Sequence, residues 1–102
     1  MRTFSVVPAA RAELEDAACW YDDQRSDLGS DFLDEVYWTL IAIKEHGEYA
    51  TAPLERIQHA MVRRAFVRRF PYVVIFVETM TTREVIMIRH ERSAPATWRS
   101  RL

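Results

Sequence analysis

The chain has 102 residues, 49% hydrophobic and 28% charged, a balance that suits one folded domain over residues 1–102 and excludes a disordered tail. Its net charge of -1 conceals two ends: residues 1–50 hold four Lys/Arg against eleven Asp/Glu, a balance of −7, and residues 51–102 hold ten Arg against four Asp/Glu, a balance of +6. A single cysteine, Cys19, excludes an intramolecular disulfide and a cysteine-based zinc site.

In chain order, Thr3 to Val7 is a short apolar run that reads as a strand. Pro8 is placed to open a helix, because proline is tolerated in a first turn. Ala10, Leu14, Ala17, Ala18 and Tyr21 recur at spacings of three and four, the mark of one buried helical stripe. Cys19 lies in that pattern and reads as a small packed residue. Glu13, Glu15 and Asp16 crowd the early turns, where carboxylates suit the helix dipole.

The polar stretch Asp22 to Ser30, with Leu28-Gly29, ends this helix, and Ser30 or Asp27 can cap a second. Phe32, Val36, Leu40 and Ile43 form its inner stripe, broadened by Leu33, Tyr37 and Ile41. His46-Gly47 is a C-terminal stop. So short a link makes the two helices an antiparallel hairpin.

Glu48 to Gln58 contains Pro53 and few strong apolar residues, and reads as an irregular connection. Three strands follow: Met61 to Phe66, Tyr72 to Glu78, and Glu84 to His90, with a turn at Thr79 to Thr82. Pro95 to Arg101 reads as one or two helical turns. The predicted architecture is α+β, ordered β-α-α-β-β-β, with a helical hairpin on one face of a twisted, mainly antiparallel sheet.

Common catalytic signatures are missing. Gly29 and Gly47 are the only glycines, so neither a phosphate-binding loop nor a dinucleotide fingerprint can be built. His46, His59 and His90 share no ligand spacing. The helix carboxylates, including Asp31, Asp34 and Glu35, have no accompanying histidine and read as solvated faces. No metal and no cofactor is expected. No stretch approaches the roughly 20 apolar residues of a membrane span, and only Arg2 precedes the first strand, with no secretory apolar region. A reduced, cytoplasmic setting without membrane contact is the expectation.

Alternation places Val73, Ile75 and Val77 on one sheet face and Tyr72, Val74 and Phe76 on the other. It likewise sets Ile86, Ile88 and His90 opposite Val85, Met87 and Arg89. One face receives the hairpin. The other has no sizeable element left to cover it, so an arginine-rimmed apolar face is expected to bind a partner. His90 has two readings, a general base or phosphate holder beside Arg92, or a structural residue bonded to nearby backbone. Trp98 is either a packing lid over the sheet against Pro95 or a stacking platform.

Trp20-Tyr21-x-x-Gln24, Leu28-Gly29-x-x-Phe32, Arg69-Phe70-Pro71-Tyr72 and His90-x-Arg92-x-x-Pro95-x-x-Trp98 together resemble the RelE/ParE superfamily of type II toxins. The likeness covers essentially the whole chain and is nearer the ParE, or plasmid-stabilisation, branch. It implies a small toxin neutralised by a cognate, DNA-binding antitoxin. ParE-type toxins inhibit DNA gyrase, whereas RelE-type relatives cut messenger RNA on the ribosome with clustered basic residues and commonly a C-terminal tyrosine. Here the only lysine is Lys44 and the closing aromatic is Trp98. Gyrase inhibition therefore ranks first, without catalytic residues. The alternative is a metal-independent ribonuclease using Arg89, His90 and Arg92. A third reading is a non-toxic module that binds only its antitoxin.

On this resemblance, the target-binding candidates are Arg68, Arg69, Tyr72, His90, Arg92 and Trp98. The antitoxin is expected at Arg63, Arg64, Arg68, Arg69, Val74 and Phe76, with acidic residues set against the arginines.

Overall fold

The computed structural model describes residues 2–47, 51–93 and 97–102. Strand β1 spans Thr3–Val6, helix α1 Pro8–Gln24, helix α2 Leu28–His46, and strands β2 to β5 Ala52–Ile57, Ala60–Phe66, Tyr72–Glu78 and Thr82–His90. Two 3-10 turns follow, Glu91–Ser93 and Thr97–Arg101. The strands form one sheet in the order β1-β5-β4-β3-β2. β1 runs parallel to β5 and every other neighbouring pair is antiparallel. The α+β class and the helical hairpin agree with the sequence reading.

The sheet has one strand more than the pattern predicts. β2 falls inside the stretch expected to be an irregular connection, and pairs with β3 through a two-residue turn at Gln58-His59, where Gln58 has φ 50. Pro53 is accommodated because β2 is an edge strand, where a residue without an N–H costs no ladder bond on its open side. A register shift between Pro53 and Glu55 lies beside it.

The hairpin closes on Gly29. Its N–H donates to Asp22 Oδ1 at 2.7 Å, so a carboxylate from the end of α1 satisfies an open donor at the start of α2. Neither expected cap performs this role. Asp27 sits in the left-handed region at φ 71 with no side-chain cap bond, and Ser30 lies inside the helix. A Cβ at position 29 would come within 2.6 Å of the Asp22 carboxylate and closer still to the Ala18 carbonyl oxygen. Gly29→Ala is therefore expected to destabilise the fold by about 1–3 kcal/mol, read as a lower urea midpoint at unchanged slope. An unchanged midpoint would show that the helices can separate freely.

Ala10, Ala17 and Ala18 of α1 and Phe32, Val36 and Ile43 of α2 are buried against Ala65, Val74, Phe76, Val85 and Ile88. The small α1 residues let that helix lie close to β5. Leu33 and Tyr37, expected to broaden the inner stripe, are 41% and 55% exposed. Cys19, expected to be packed, is also exposed. None of the early carboxylates lies in the first turn of α1; Glu13 turns toward β5 instead.

The second sheet face carries Val62, Val73, Ile75, Ile86 and Met87, and Trp98 packs on them at 5% exposure. This corrects the expectation of an uncovered face. The C-terminal turn crosses the sheet and is fastened at both sides. Arg99 pairs with Glu55 of β2, and Arg101 bonds Glu13 of α1 at 2.7 and 3.0 Å. Pro95, the expected neighbour of Trp98, lies outside the described residues. Strict alternation also fails in β5. The register shifts opposite Ile75/Phe76, so Ile86 and Met87 both pack on the second face while Val85 and Ile88 join the helical side.

Candidate functional site

The link from β3 to β4 is built around rings. Phe70 is buried, and its ring meets Tyr21 at 4.9 Å and Phe32 at 5.2 Å, both edge-on. Tyr72 meets Phe32 at 4.8 Å and Tyr21 at 6.0 Å. Edge-to-face rings at these separations stabilise beyond their area burial. Arg69, at φ 69, turns the chain so that Phe70 can enter this cluster, while its own guanidinium reaches Glu35 at 3.5 Å and Asp31 at 3.7 Å on α2. Val67 N–H donates to the Tyr72 carbonyl at 2.9 Å and closes the link. Burial pushes the Tyr21 and Tyr72 phenols above the usual 10.0, and the neighbouring Tyr72 adds to the shift at Tyr21. Both stay protonated near neutrality.

Tyr72 carries the cluster outward to His90, which lies across the strand pair with its ring 5.6 Å away. His90 Nδ1 accepts the Arg92 N–H at 3.1 Å, and the His90 carbonyl accepts from the Ser93 hydroxyl at 3.0 Å. The first bond assigns the neutral ring's proton to Nε2, so the other nitrogen presents a donor. Beside it lies a cleft of 330 Å³ between α1 and the end of β5, lined among others by Asp16, Trp20, Tyr72, Arg89 and His90. An adjoining cleft of 440 Å³ adds Tyr21 and Pro71. Trp20 is 56% exposed and forms a wall common to both.

Glu13 organises the inner end of this cleft. Beyond the reach of β1, the Ile88 N–H on the edge of β5 donates to Glu13 Oε1 at 3.1 Å. The same carboxylate takes Arg89 at 2.8 Å and Arg101 at 2.7 Å, and Arg101 also donates to the Ile86 carbonyl at 2.9 Å. Sheet edge, first helix and C-terminal turn are thereby joined through one acid.

A buried carboxylate joins the other end of the sheet. Glu78, at 9% exposure, accepts from Arg83 Nε at 2.7 Å and Arg63 Nε at 3.2 Å. Burial alone would push its carboxyl up. The Arg83 hydrogen bond and the charges of Arg83, Arg2 and Arg63 outweigh this and hold it below the usual 4.5. Arg83 also donates to the Lys44 carbonyl at the end of α2, at 3.1 Å. Gly47, at φ 44, leaves room for that guanidinium, since a Cβ there would lie within 2.7 Å of its Nε.

These contacts sort the predicted residues. Val74 and Phe76 are fully buried beneath the helices and have no surface to offer an antitoxin, which corrects that expectation. The alternation places them on the covered face. Arg63 and Arg69 are held by carboxylates of the same chain, and Arg89 by Glu13. Trp98 is a lid with its ring faced by Arg99 at 4.7 Å. Arg64, Arg68 and Arg92 point to solvent, His90 is half-buried at the cleft rim, and Tyr72 is half-buried behind it. Trp20 as a cleft wall and Glu13 as a junction emerge only from the structure. An exposed tryptophan outside the buried stripe was the available signal for the first.

Among the described residues, no group of three His, Cys, Asp or Glu side chains is placed to hold a metal ion, and no helix is long and apolar enough to cross a membrane. No family model and no curated protein matches the chain. A solved structure described as "Chromosomal ParDE TA system from P. aeruginosa" contains a chain similar to this one, with a TM-score of 0.74 at 12% sequence identity, over 88% of this chain and 96% of that one. An identity that low speaks to architecture alone: the two chains share a fold.

Proposed function

We propose that the chain is the toxin of a type II toxin–antitoxin pair, that it acts by binding DNA gyrase, and that a cognate antitoxin neutralises it. The fold shared with a chain of a ParDE system supports the toxin class. The arrangement around His90 is the observation that favours binding over cleavage. Metal-independent RNA cleavage needs a base, an acid and cations converging on one phosphate. Arg89 is tied to Glu13, and the His90 nitrogen that accepts a proton is engaged by Arg92 N–H. What remains is a recognition surface, with the His90 donor and the Trp20 ring lining a cleft and the exposed Arg92 two residues beyond His90.

Purified chain is expected to inhibit gyrase supercoiling in a concentration-dependent way. Arg92→Glu is expected to weaken that inhibition by about tenfold or more, as reversal of an interface charge does. Translating ribosomes given the same protein should show no A-site cut in a toe-print. Cutting that depends on His90 or Arg92, with supercoiling untouched, would replace this reading with the ribonuclease one.

A further inference from the structure

Helix α2 buries one side in the core and leaves a second apolar side in water. Phe32, Val36 and Ile43 face inward. On the outer side Leu33, Tyr37 and Trp38 are exposed, Trp38 at 66%, and the Tyr37 and Trp38 rings lie 5.9 Å apart. Ile41 is half-buried and joins neither core cluster of the described residues. A surface helix ordinarily carries polar residues there, so four large apolar side chains mark an interaction surface.

Spacing and charge identify the occupant. Asp34, Tyr37, Ile41 and Lys44 follow one another at intervals of three, four and three, the seam of a two-helix coiled contact. Leu33 and Trp38 flank this seam. Its middle is apolar and its ends carry opposite charges. Asp34 and Lys44 are exposed, and neither has a salt-bridge partner among the described residues. Ten residues of helix hold them about 15 Å apart, too far for one to neutralise the other within a chain. In a second copy laid antiparallel about the level of Thr39, Asp34 meets the partner's Lys44 and Tyr37 meets the partner's Ile41. The two-fold repeats both contacts. A parallel arrangement sets Asp34 against Asp34 and Lys44 against Lys44, and like charges reject it.

We propose that the chain pairs with a second copy of itself through the outer face of α2, the two helices running antiparallel. The face is its own complement in charge and in the placement of its apolar residues, which is what a two-fold contact requires. The net charge of -1 leaves little long-range repulsion between copies to oppose it. One helix from each chain buries less than the roughly 1,200 Å² of a standard interface, so the expected dissociation constant is on the order of micromolar. Asp34, Tyr37, Trp38, Ile41 and Lys44 lie outside the lining of both clefts beside His90. Pairing therefore leaves those clefts open in each copy and does not depend on what they bind.

The test is sedimentation equilibrium of the purified full chain, from roughly micromolar to millimolar concentration. A monomer–dimer equilibrium is expected. Asp34→Lys and Lys44→Asp, each alone, set like charges at both ends of the contact and should weaken the dimer at least about tenfold. Mixed in equal amounts, the two single variants should pair with each other. The double variant Asp34→Lys, Lys44→Asp should recover wild-type association, because opposite charges again meet. Both positions are exposed, so circular dichroism should show every variant folded as wild type is. A wild-type chain that stays monomeric throughout would overturn the proposal. So would a dimer indifferent to both single variants, or one that the double variant fails to restore. A monomer whose Trp38 indole N–H signal moves in NMR when the cognate antitoxin is added would assign the face to that partner, and likewise overturn the pairing.

Discussion

Glu78→Gln is expected to destabilise the fold by about 3–5 kcal/mol, because it leaves two nearly buried arginines without their shared counter-charge. Glu78 is cross-strand from Arg83, and Arg63 reaches the same carboxylate from β3. Both arginine side chains are only 12% exposed, so water replaces little of what is lost. The Lys44 carbonyl remains as an acceptor for Arg83 but carries no full charge. The effect has a pH signature. The folded carboxyl titrates below the unfolded value of 4.5, so its stabilisation is fully present above that pH and is lost as pH falls through the folded value. Urea unfolding across the acid range should therefore show wild type losing stability below pH 4.5 faster than Glu78→Gln, with the two curves converging. A variant within about 0.5 kcal/mol of wild type at pH 7 would place it among surface substitutions and refute the buried-network account.

Phe32→Ala is expected to cost about 3–5 kcal/mol by cavity formation, lowering Tm by on the order of 15 °C in a domain this small. Phe32 is fully buried and its ring meets Tyr21, Phe70 and Tyr72. It joins both helices to the β3–β4 link, so its removal reaches beyond one void. Tyr72 would lose the ring it stands on, and His90 stands against Tyr72. Differential scanning calorimetry gives the first effect. Phe32→Leu should recover most of the stability by refilling volume, without restoring the edge-on contacts. If Phe32→Ala melts within a few degrees of wild type, the ring cluster is not what holds the link.

Much of the architecture is legible in the sequence because each helix announces its face. The spacing of Ala10, Ala17 and Ala18, and of Phe32, Val36 and Ile43, predicts the buried stripes that the structure contains. β4 reads correctly because it is buried on both sides. β2 escapes because an edge strand needs neither alternation nor β-branched residues, and its turn uses Gln58-His59 rather than a glycine. The register shift in β5 is equally silent, as nothing in Val85-Ile86-Met87 marks the extra residue.

The site is less legible, for a physical reason. Neighbouring arginines in a strand point to opposite faces, so Arg63-Arg64 must send one member inward. Sequence alone does not say that Glu78 waits there. Arg68-Arg69 lies in the β3–β4 link, where Asp31 and Glu35 on a distant helix claim the second. Local composition counts charges, while pairing over long sequence separations decides which of them a partner can meet. Trp98 illustrates the converse, since two ion pairs far apart in sequence turn a candidate platform into a lid.

The most direct test of the central claim is gyrase supercoiling, measured with purified chain titrated against plasmid DNA. The account predicts that supercoiling falls as the chain is added and that Arg92→Glu shifts the titration by about tenfold or more. Full supercoiling at saturating chain, from protein that is folded by circular dichroism, would contradict it.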